Sequence, residues 1–314
     1  MKMDLHEGDF KRSTRAPAKL NLFLDVLGRR GDGFHDLETL MVPVRLADLV
    51  SLTPTKPTSS SSPGEISLNV QACWPVATAS QLPVVPTSGH NLIVKALKLF
   101  QERSGCVSGA NVELDKRIPM AAGMGGGSSD AAAALRLANR AWRINWSDEQ
   151  LAEVAAELGS DIPFFVSRGA AICRGRGERV ERLAPLPSLH FVVVKPAQAL
   201  GAGEVYGALR SLGERQPPIA RGRLREFIQT VCHGGWHDLR KWMHNGLEAA
   251  ASTLSPCVDQ MRRAFAELDF VAHQLTGSGS AYFGICRHAT HARRLASILR
   301  TQQLGLVYAT QSCQ

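Results

Sequence analysis

The sequence is poor in aromatic residues and lacks long apolar runs. Phe, Trp and Tyr make up 6% of the 314 residues. No uninterrupted apolar segment approaches the roughly 20 residues that span a bilayer. The N-terminal stretch carries Asp4, Glu7 and Asp9 among its basic residues, unlike a secretory signal or a transit peptide. We therefore expect a soluble cytoplasmic protein that has no membrane partner.

Paired cysteines are also lacking. The seven cysteines stand singly, without a CxxC pair, which argues against a disulfide framework and favours thiols in a reducing compartment. His233 and His237 are four residues apart, close to Cys232 and His244. Glycines between the two histidines would weaken any helix that aligned them, so we expect no bound structural metal.

The remaining composition is that of an ordinary globular protein, with 44% hydrophobic and 20% charged residues. The length suits one large domain or two closely packed domains. The net charge of +8 comes from arginines spread along the chain, not from one basic tract with interleaved aromatics. An anionic small-molecule substrate explains the positive charge as well as nucleic acid does, and we expect no nucleic-acid partner.

Residue patterns in the first half predict a hairpin and alternating helices and strands. The stretch AKLNLFLDV alternates like a strand and leads through GRRGDGFHDLETL, a glycine-punctuated turn that returns to extended chain. Asn91 is a candidate helix N-cap, and Ser147 with Gln150 forms a capping-box pattern. The elements expected are a strand over 18–26, a helix over 91–103, a strand over 111–116 and helices over 128–141 and 147–158.

The pattern restarts after Arg168, which predicts a boundary between domains 1–167 and 168–314. We expect strands near 169–173 and 190–194, helices near 223–229 and 242–251, and a glycine-rich turn over 276–280. Two segments rich in Ser and Pro, 54–64 and 75–86, are typical of surface insertions between strands and are expected to carry no chemistry.

The segment PMAAGMGGGSSD, from Pro119 to Asp130, lies between a predicted strand and a predicted helix. Its glycines let backbone N–H groups turn toward one point, and a following helix N-terminus adds partial positive charge. This favours phosphate binding over a flexible turn. No GK[ST] follows the glycines, so a phosphate-binding lysine has to come from elsewhere.

The segment PMAAGMGGGSSDAAAAL resembles the ATP-binding motif of the GHMP kinases, the family of galactokinase, homoserine kinase and mevalonate kinase. APAKLNLFLDVLGRRGDGFHDLETL, GSDIPFF and TGSGSAYFG resemble further motifs of that family. The resemblance implies an α+β fold of two domains. These are an N-terminal ATP-binding domain, with the glycine-rich loop at a helix N-terminus, and a C-terminal ferredoxin-like α/β sandwich. It also implies ATP and Mg²⁺ as cofactors.

The resemblance places Lys19 and Asp161 at catalytic positions. Phosphoryl transfer to an alcohol needs charge stabilisation and a group that orients or deprotonates the hydroxyl, and a lysine and a carboxylate supply both. Without the family, Asp161 is typical of a turn or cap and Lys19 of a strand surface. The residues expected to bind ATP are Pro119, Met120, Ala121, Ala122, Gly123, Met124, Gly125, Gly126, Gly127, Ser128, Ser129, Asn91 and Lys116.

For the substrate, the resemblance points to Phe34, His35 and Tyr206 around a cytidine base, although lone aromatics are more often core residues. Asn21, two residues after Lys19, is expected on the same strand face, where it contacts the hydroxyl end of the substrate. The family has serine and threonine where this chain has Gly201 and Ala202, so polar contacts from that segment are in doubt. The turn expected near the substrate diphosphate contains Thr276, Gly277, Ser278 and Gly279.

Two further polar residues have alternative roles. Lys116 precedes the glycine-rich loop, and it either meets the nucleotide or faces solvent. Asp130 follows the two serines, and we expect it to complement the helix dipole rather than to sit near Mg²⁺.

The activity that the resemblance implies is ATP-dependent phosphorylation of the 2-hydroxyl of a cytidine diphosphate-linked methylerythritol in the non-mevalonate isoprenoid pathway. The alternatives are a kinase of homoserine or a mevalonate-type alcohol, and a non-catalytic nucleotide- or RNA-binding protein. GRRGDGFH argues against the first, and the presence of both Lys19 and Asp161 argues against the second. We expect a monomer or a weak homodimer.

Overall fold

The structure is a computed structural model that describes residues 10–57, 63–74, 85–213 and 222–313. The chain divides into two compact units, each drawn from three separate segments. Unit 1 comprises Met1–Pro17, Ala47–Ile118 and Gly126–Ser167. Unit 2 comprises Ala18–Leu46, Pro119–Gly125 and Arg168–Gln314.

The strands of the described residues are numbered in chain order. They are β1 Arg12–Arg29, β2 His35–Thr55, β3 Ile66–Ala72, β4 Gly109–Lys116, β5 Ala171–Gly175, β6 Arg179–Arg182, β7 His190–Lys195, β8 His244–Asn245, β9 Ala272–Leu275, β10 Tyr282–Cys286 and β11 Leu306–Gln311.

The helices of the same residues are numbered in the same way. They are α1 Leu92–Ser104, α2 Gly126–Ala141, α3 Asp148–Leu158, α4 Ile162–Ser167, α5 Ala202–Leu212, α6 Arg223–Cys232, α7 Leu239–Trp242, α8 Glu248–Leu254, α9 Pro256–Ala266 and α10 Ala289–Thr301.

Unit 1 is a small sheet covered by helices. β3 pairs in parallel with β4, and β4 pairs antiparallel with the later part of β2. α1 and α2 pack against each other, and α4 packs against α2 and α3. The alanine-rich face of α2 is almost wholly buried, because its small side chains let neighbouring helices approach closely. This packing holds the N-terminus of α2 in place.

Unit 2 contains a four-stranded antiparallel sheet in the order β11-β7-β10-β9. α10 packs on β7, β10 and β11, while α9 packs on β9 and β10. Taken in chain order, this arrangement is that of a ferredoxin-like domain, as the family resemblance implied. In the same unit, β5 pairs antiparallel with the first part of β2, and β8 pairs in parallel with β1.

Most predicted elements are confirmed, with shifted ends. Asn91 caps α1, where its Oδ1 accepts a hydrogen bond from the N–H of Ile93 at 2.9 Å. The capping box of Ser147 and Gln150 begins α3. The helix expected from Ser128 begins earlier, at Gly126, so two glycines of the loop are helical.

The single helix expected over 242–251 is wrong. α7 ends at Trp242 and α8 begins at Glu248, with the short strand β8 between them. Leu24 and Asn245 are paired across the β1–β8 ladder, and Leu24 O accepts a further hydrogen bond from the N–H of Gly246 at 2.8 Å. Tertiary pairing therefore overrides the local helical pattern.

Three other expectations concern the Ser/Pro segments, the cysteines and membrane-spanning helices. The Ser/Pro segments lie largely outside the described residues, at 58–62 and 75–84, but Pro54 and Thr55 still belong to β2. All seven cysteines are described, and no disulfide joins them. In the described part of the chain, we find no helix with the length and hydropathy needed to cross a membrane.

Candidate active site

The glycine-rich loop of unit 2 has an alternating backbone. Ala121, Gly123 and Gly125 have φ angles of 50°, 72° and 67°, whereas Ala122 and Met124 between them are not left-handed. Such alternation turns successive N–H groups toward the same side and creates a concavity that binds anions. Glycine adopts the left-handed region without steric penalty, which explains its use at two of the three positions.

The loop is held on both sides by other parts of unit 2. Met124 O accepts a hydrogen bond from the N–H of Lys19 at 3.0 Å, and Ala122 O accepts one from the N–H of Ala281 at 3.2 Å. A Cβ at Gly123 would lie 2.2 Å from Thr276 O. The loop thus lies directly against the turn over 276–280, and only glycine fits at the point of contact.

Lys19 is a buried residue of β1, with 4% of its surface exposed, so the alternative of a strand-surface lysine is wrong. Its Nζ donates to Asn21 Oδ1 at 2.5 Å. Asn21 Nδ2 donates to Thr39 Oγ1 at 2.8 Å, and the Thr39 hydroxyl donates to Phe23 O at 2.6 Å. Lys19 and Asn21 therefore share a face, as predicted from their spacing. The chain of hydrogen bonds orients the ammonium group.

The turn over 276–280 closes around these two side chains. Thr276 Oγ1 accepts a hydrogen bond from the N–H of Asn21 at 3.1 Å. Gly277 has a φ of 57°, and a Cβ there would lie 3.2 Å from both Lys19 Nζ and Asn21 Oδ1. A side chain at Gly277 would therefore crowd the ammonium group.

Two buried amide side chains hold this turn and the adjacent strand β1. Asn245 Nδ2 donates to Leu275 O at 2.8 Å and to Gly277 O at 2.9 Å. Gln274 Nε2 donates to Asn21 O at 3.0 Å. Both amides are buried, so they give these backbone carbonyls hydrogen-bond partners where water does not reach.

The hairpin turn between β1 and β2 presents Phe34 to solvent, with 51% of its surface exposed. The core role considered for Phe34 is therefore wrong. The guanidinium of Arg176 lies 4.9 Å from the centre of the Phe34 ring, within cation–π range.

His35 stacks directly on Tyr206, with ring centroids 5.0 Å apart and planes at 19°. Tyr206 also packs against the hydrophobic core of unit 2. Partial burial, followed by the charges of Arg210 and Arg29, lowers the pKa of His35 below its ordinary value. The imidazole is accordingly neutral at neutral pH and accepts as well as donates hydrogen bonds.

Unit 1 contains a buried ion cluster at the N-terminus of α2. Lys116, 3% exposed, pairs with Asp48 and, at 2.7 Å, with Asp130 Oδ2. Asp48 Oδ1 also accepts hydrogen bonds from the N–H groups of Arg117 and Ile118, at 2.5 and 2.7 Å. The alternative of a solvent-facing Lys116 is wrong, because its ammonium is held by two carboxylates.

We expected Asp130 to complement the helix dipole, and this expectation is wrong. It lies beyond the first turn of α2, and its side chain pairs with Lys116. Burial raises the pKa of Asp130 well above its usual range, Lys116 opposes this rise, and the neighbouring Asp48 carboxylate adds to it. Asp130 Oδ1 and Ser129 Oγ are both buried and have no hydrogen-bond partner among the described residues.

The remaining predicted residues of unit 1 lie at helix ends. Asp161 is partly exposed in the turn between α3 and α4, and the five residues that follow it are buried. Ser128 lies in the first turn of α2. Asn91 already uses its whole amide, since Nδ2 donates to Pro86 O at 2.7 Å while Oδ1 caps α1. A nucleotide contact from Asn91 would compete with this cap.

Sequence reasoning missed four polar residues that support these groups: Thr39, Asp48, Gln274 and Asn245. Asp48 alone had a usable signal, because a carboxylate between leucines in the strand segment LADLVSL is costly to bury without a partner. The other three act through neutral side chains whose partners are distant in sequence, and nothing in the local pattern distinguishes them.

Comparisons with known proteins agree with this geometry. The GHMP kinases N terminal domain model matches residues 91–169, and the GHMP kinases C terminal model matches residues 227–303. The chain is 36% identical over 286 residues to a 4-diphosphocytidyl-2-C-methyl-D-erythritol kinase of Exiguobacterium sibiricum, covering 91% of this chain and 93% of that protein. It is 33% identical to the protein of the same name from Bacillus subtilis, with coverages of 91% and 92%.

Solved structures give the same result. A crystal structure of 4-(cytidine 5'-diphospho)-2C-methyl-D-erythritol kinase matches with a TM-score of 0.76 and 33% identity, covering 96% of this chain and all of the other. A homoserine kinase from Cytophaga hutchinsonii matches with a TM-score of 0.72 at 15% identity, with coverages of 98% and 96%, and thus shares the fold. The expected two-domain α+β architecture is confirmed, and the chain belongs to the GHMP kinase family.

Proposed function

We propose that this protein transfers the γ-phosphoryl group of ATP to the 2-hydroxyl of 4-diphosphocytidyl-2-C-methyl-D-erythritol, a step of the non-mevalonate isoprenoid pathway. The observation that carries the proposal is the agreement in name among relatives that are more than 30% identical over nine tenths of the chain. The local geometry supports it at each part of the reaction, as follows.

The glycine-rich loop supplies the phosphate-binding groups. Its alternating backbone at Ala121, Gly123 and Gly125 directs N–H groups to one side. The N–H groups in the first turn of α2 also carry partial positive charge that attracts phosphate. Donors fixed in place before the reaction stabilise negative charge without reorganising, which is the main requirement of phosphoryl transfer.

Lys19 and Asp161 have separate roles in this proposal. The ammonium of Lys19, oriented by Asn21, steadies the charge that develops on the transferred group. Asp161 accepts or orients the proton of the attacking hydroxyl. Because the transition state of phosphoryl transfer is loose, orientation contributes at least as much as proton abstraction.

The oxygen atoms at the start of α2 fit a magnesium ion. Ser129 Oγ and Asp130 Oδ1 are hard oxygen donors with no hydrogen-bond partner among the described residues. When bound with ATP, Mg²⁺ neutralises phosphate charge, and these two residues are the ones that would hold it.

The exposed ring of Phe34 and the pair of His35 and Tyr206 supply the base-recognition groups. A cytosine is flat and offers both donors and acceptors, which suit stacking on an aromatic ring and a hydrogen bond to a neutral imidazole. Since His35 and Tyr206 contact each other, a base that stacks on Tyr206 has to displace the imidazole.

An ADP-release assay with a panel of alcohols tests the proposal. We expect turnover with 4-diphosphocytidyl-2-C-methyl-D-erythritol and none above background with homoserine or mevalonate, at equal ATP and Mg²⁺ concentrations. Phosphorylation of homoserine or mevalonate at a comparable kcat/KM would contradict the proposed substrate. ATP binding without turnover of any alcohol would contradict the kinase assignment.

A further inference from the structure

Unit 2 contains a cationic cavity away from the residues assigned above. It has a volume of about 330 Å³, at the lower end of the range for small-ligand pockets, roughly 300 to 1,000 Å³. Its walls are formed by Arg45 and Leu46 of β2, the start of β7, the first turns of α10 and the strand β11. Arg45, His190 and Arg293 line it, and no acidic residue among the described residues does so.

Arg45 is held in position by a neutral group. With the Gln311 amide oriented so that its oxygen faces the guanidinium, that oxygen accepts hydrogen bonds from Arg45 Nε at 2.9 Å and Nη2 at 2.8 Å. An amide positions a guanidinium but does not neutralise its charge.

Arg293 differs from the other arginines around the start of α10. Arg287 and Arg294 both pair with Asp269, at 3.0 and 2.6 Å, and His291 lies 3.3 Å from the same carboxylate. Arg293 forms no ion pair with any described residue and contributes to the cavity instead. Asp269, the partner of Arg287 and Arg294, does not line the cavity.

His190 experiences this positive environment. Burial lowers its pKa, and the charges of His288 and Arg45 lower it further. Arg45 faces it from β2, His288 and Arg293 lie at the start of α10, and Tyr308 comes from β11. An anion in the cavity would favour the imidazolium and reverse the shift.

We propose that this cavity is a binding site for the phosphate or diphosphate group of a small molecule, with Arg45 and Arg293 as its two guanidinium ligands. Planar guanidinium forks match phosphate oxygens and form strong charge-assisted hydrogen bonds. The site shares no residue with the glycine-rich loop, so the proposal does not depend on the proposed function. The shared chemistry is the phosphate group, whether inorganic or part of an organic ester.

The test follows the imidazole signal of His190 by NMR in the full chain. Titrations use inorganic phosphate, inorganic diphosphate and glycerol 3-phosphate, each against potassium chloride at matched ionic strength. We expect a saturable shift and a raised pKa of His190 with at least one phosphate probe and neither with chloride. A response to inorganic phosphate or diphosphate alone indicates an inorganic ligand, and a preference for glycerol 3-phosphate indicates an organic ester.

Three variants make the test specific. Arg293→Ser and Arg45→Gln should each weaken binding by about tenfold or more, because each removes one charged ligand. Arg294→Ser removes the same charge from the neighbouring position of α10, and it should leave the affinity within about twofold because that residue pairs with Asp269. Thermal unfolding midpoints confirm that each variant is folded.

Two results would overturn the proposal. One is a His190 signal that responds to none of the phosphate probes. The other is an equal loss of affinity in the Arg294 and Arg293 variants, which would indicate general screening of the surface charge. Neither result bears on turnover of the alcohol substrates, so kinase activity is judged independently.

Discussion

Among single residues, Gly123 is under two separate constraints, a left-handed backbone and contact with Thr276 O. Gly123→Ala should destabilise the protein by more than the roughly 1 to 2 kcal/mol of a left-handed alanine, and should raise KM for ATP. Gly169 is the matched control, with a φ of 78° and open space around its Cβ position. Equal losses of unfolding free energy in the two alanine variants would show that the contact with Thr276 contributes nothing.

Asp161 is the residue on which the catalytic proposal depends most. Asp161→Asn keeps the shape of the side chain and removes its basicity, so kcat should fall by about 100-fold or more while KM for ATP changes little. Steady-state kinetics check this, with Asp148→Asn in the first turn of α3 as the control for charge. Near-normal turnover would remove Asp161 from the mechanism.

Asp130 should make stability depend on pH in an unusual direction. Its pKa is raised in the folded state, so between its unfolded value of about 4 and the raised value only the folded protein keeps the proton. The resulting stability is complete below about pH 4 and declines as pH rises through that window. Asp130→Asn cannot ionise, so it should lose less unfolding free energy than the wild type as the pH rises above about 4.

Chemical denaturation at several pH values measures this difference. Asp148→Asn, which removes a carboxylate from the start of α3, should follow the wild-type profile. If the Asp130→Asn profile also runs parallel to that of the wild type, the carboxyl of Asp130 does not change its protonation on unfolding.

At the scale of elements, the β1–β2 turn and α5 meet through the stacked rings of His35 and Tyr206. Tyr206→Ala should raise KM for the cytidine substrate by about fivefold or more, from the loss of base stacking, without changing KM for ATP. Tyr206→Phe keeps the ring and should behave like the wild type. An unchanged KM in Tyr206→Ala would exclude stacking of the base on this residue.

Elements with local causes were predictable from the sequence, and those with distant causes were not. The caps at Asn91 and Ser147 depend on residues within three positions, and both were found. The break between α7 and α8 depends on pairing of Asn245 with Leu24, more than 200 residues away, and it was missed. The same distinction applies to the site, where the loop glycines were recognised but their support from Asn245 and Gln274 was not.

At the scale of the whole molecule, the folding of unit 2 requires segments from the first part of the chain. A fragment of residues 168–314 lacks the partners of β5 and β8, which lie in β2 and β1, as well as Leu24 of the core. We expect this fragment to lack cooperative thermal unfolding by circular dichroism, and adding fragment 1–167 to restore part of it. A steep transition in the isolated fragment would show that the boundary expected after residue 167 separates independent folding domains.

Hydrogen bonds in unit 2 join residues near the two ends of the chain, and this affects folding during protein synthesis. Leu46 donates its N–H to Thr310 Oγ1 across 264 residues of chain, and Cys313 donates its N–H to Pro43 O at 2.9 Å. On the ribosome, this stretch of β2 emerges long before those partners and waits as an open strand edge, which is prone to pairing with other chains. Translation pauses late in the message would prolong that exposure, so recovery of the native protein should be sensitive to codon choice and chaperone supply.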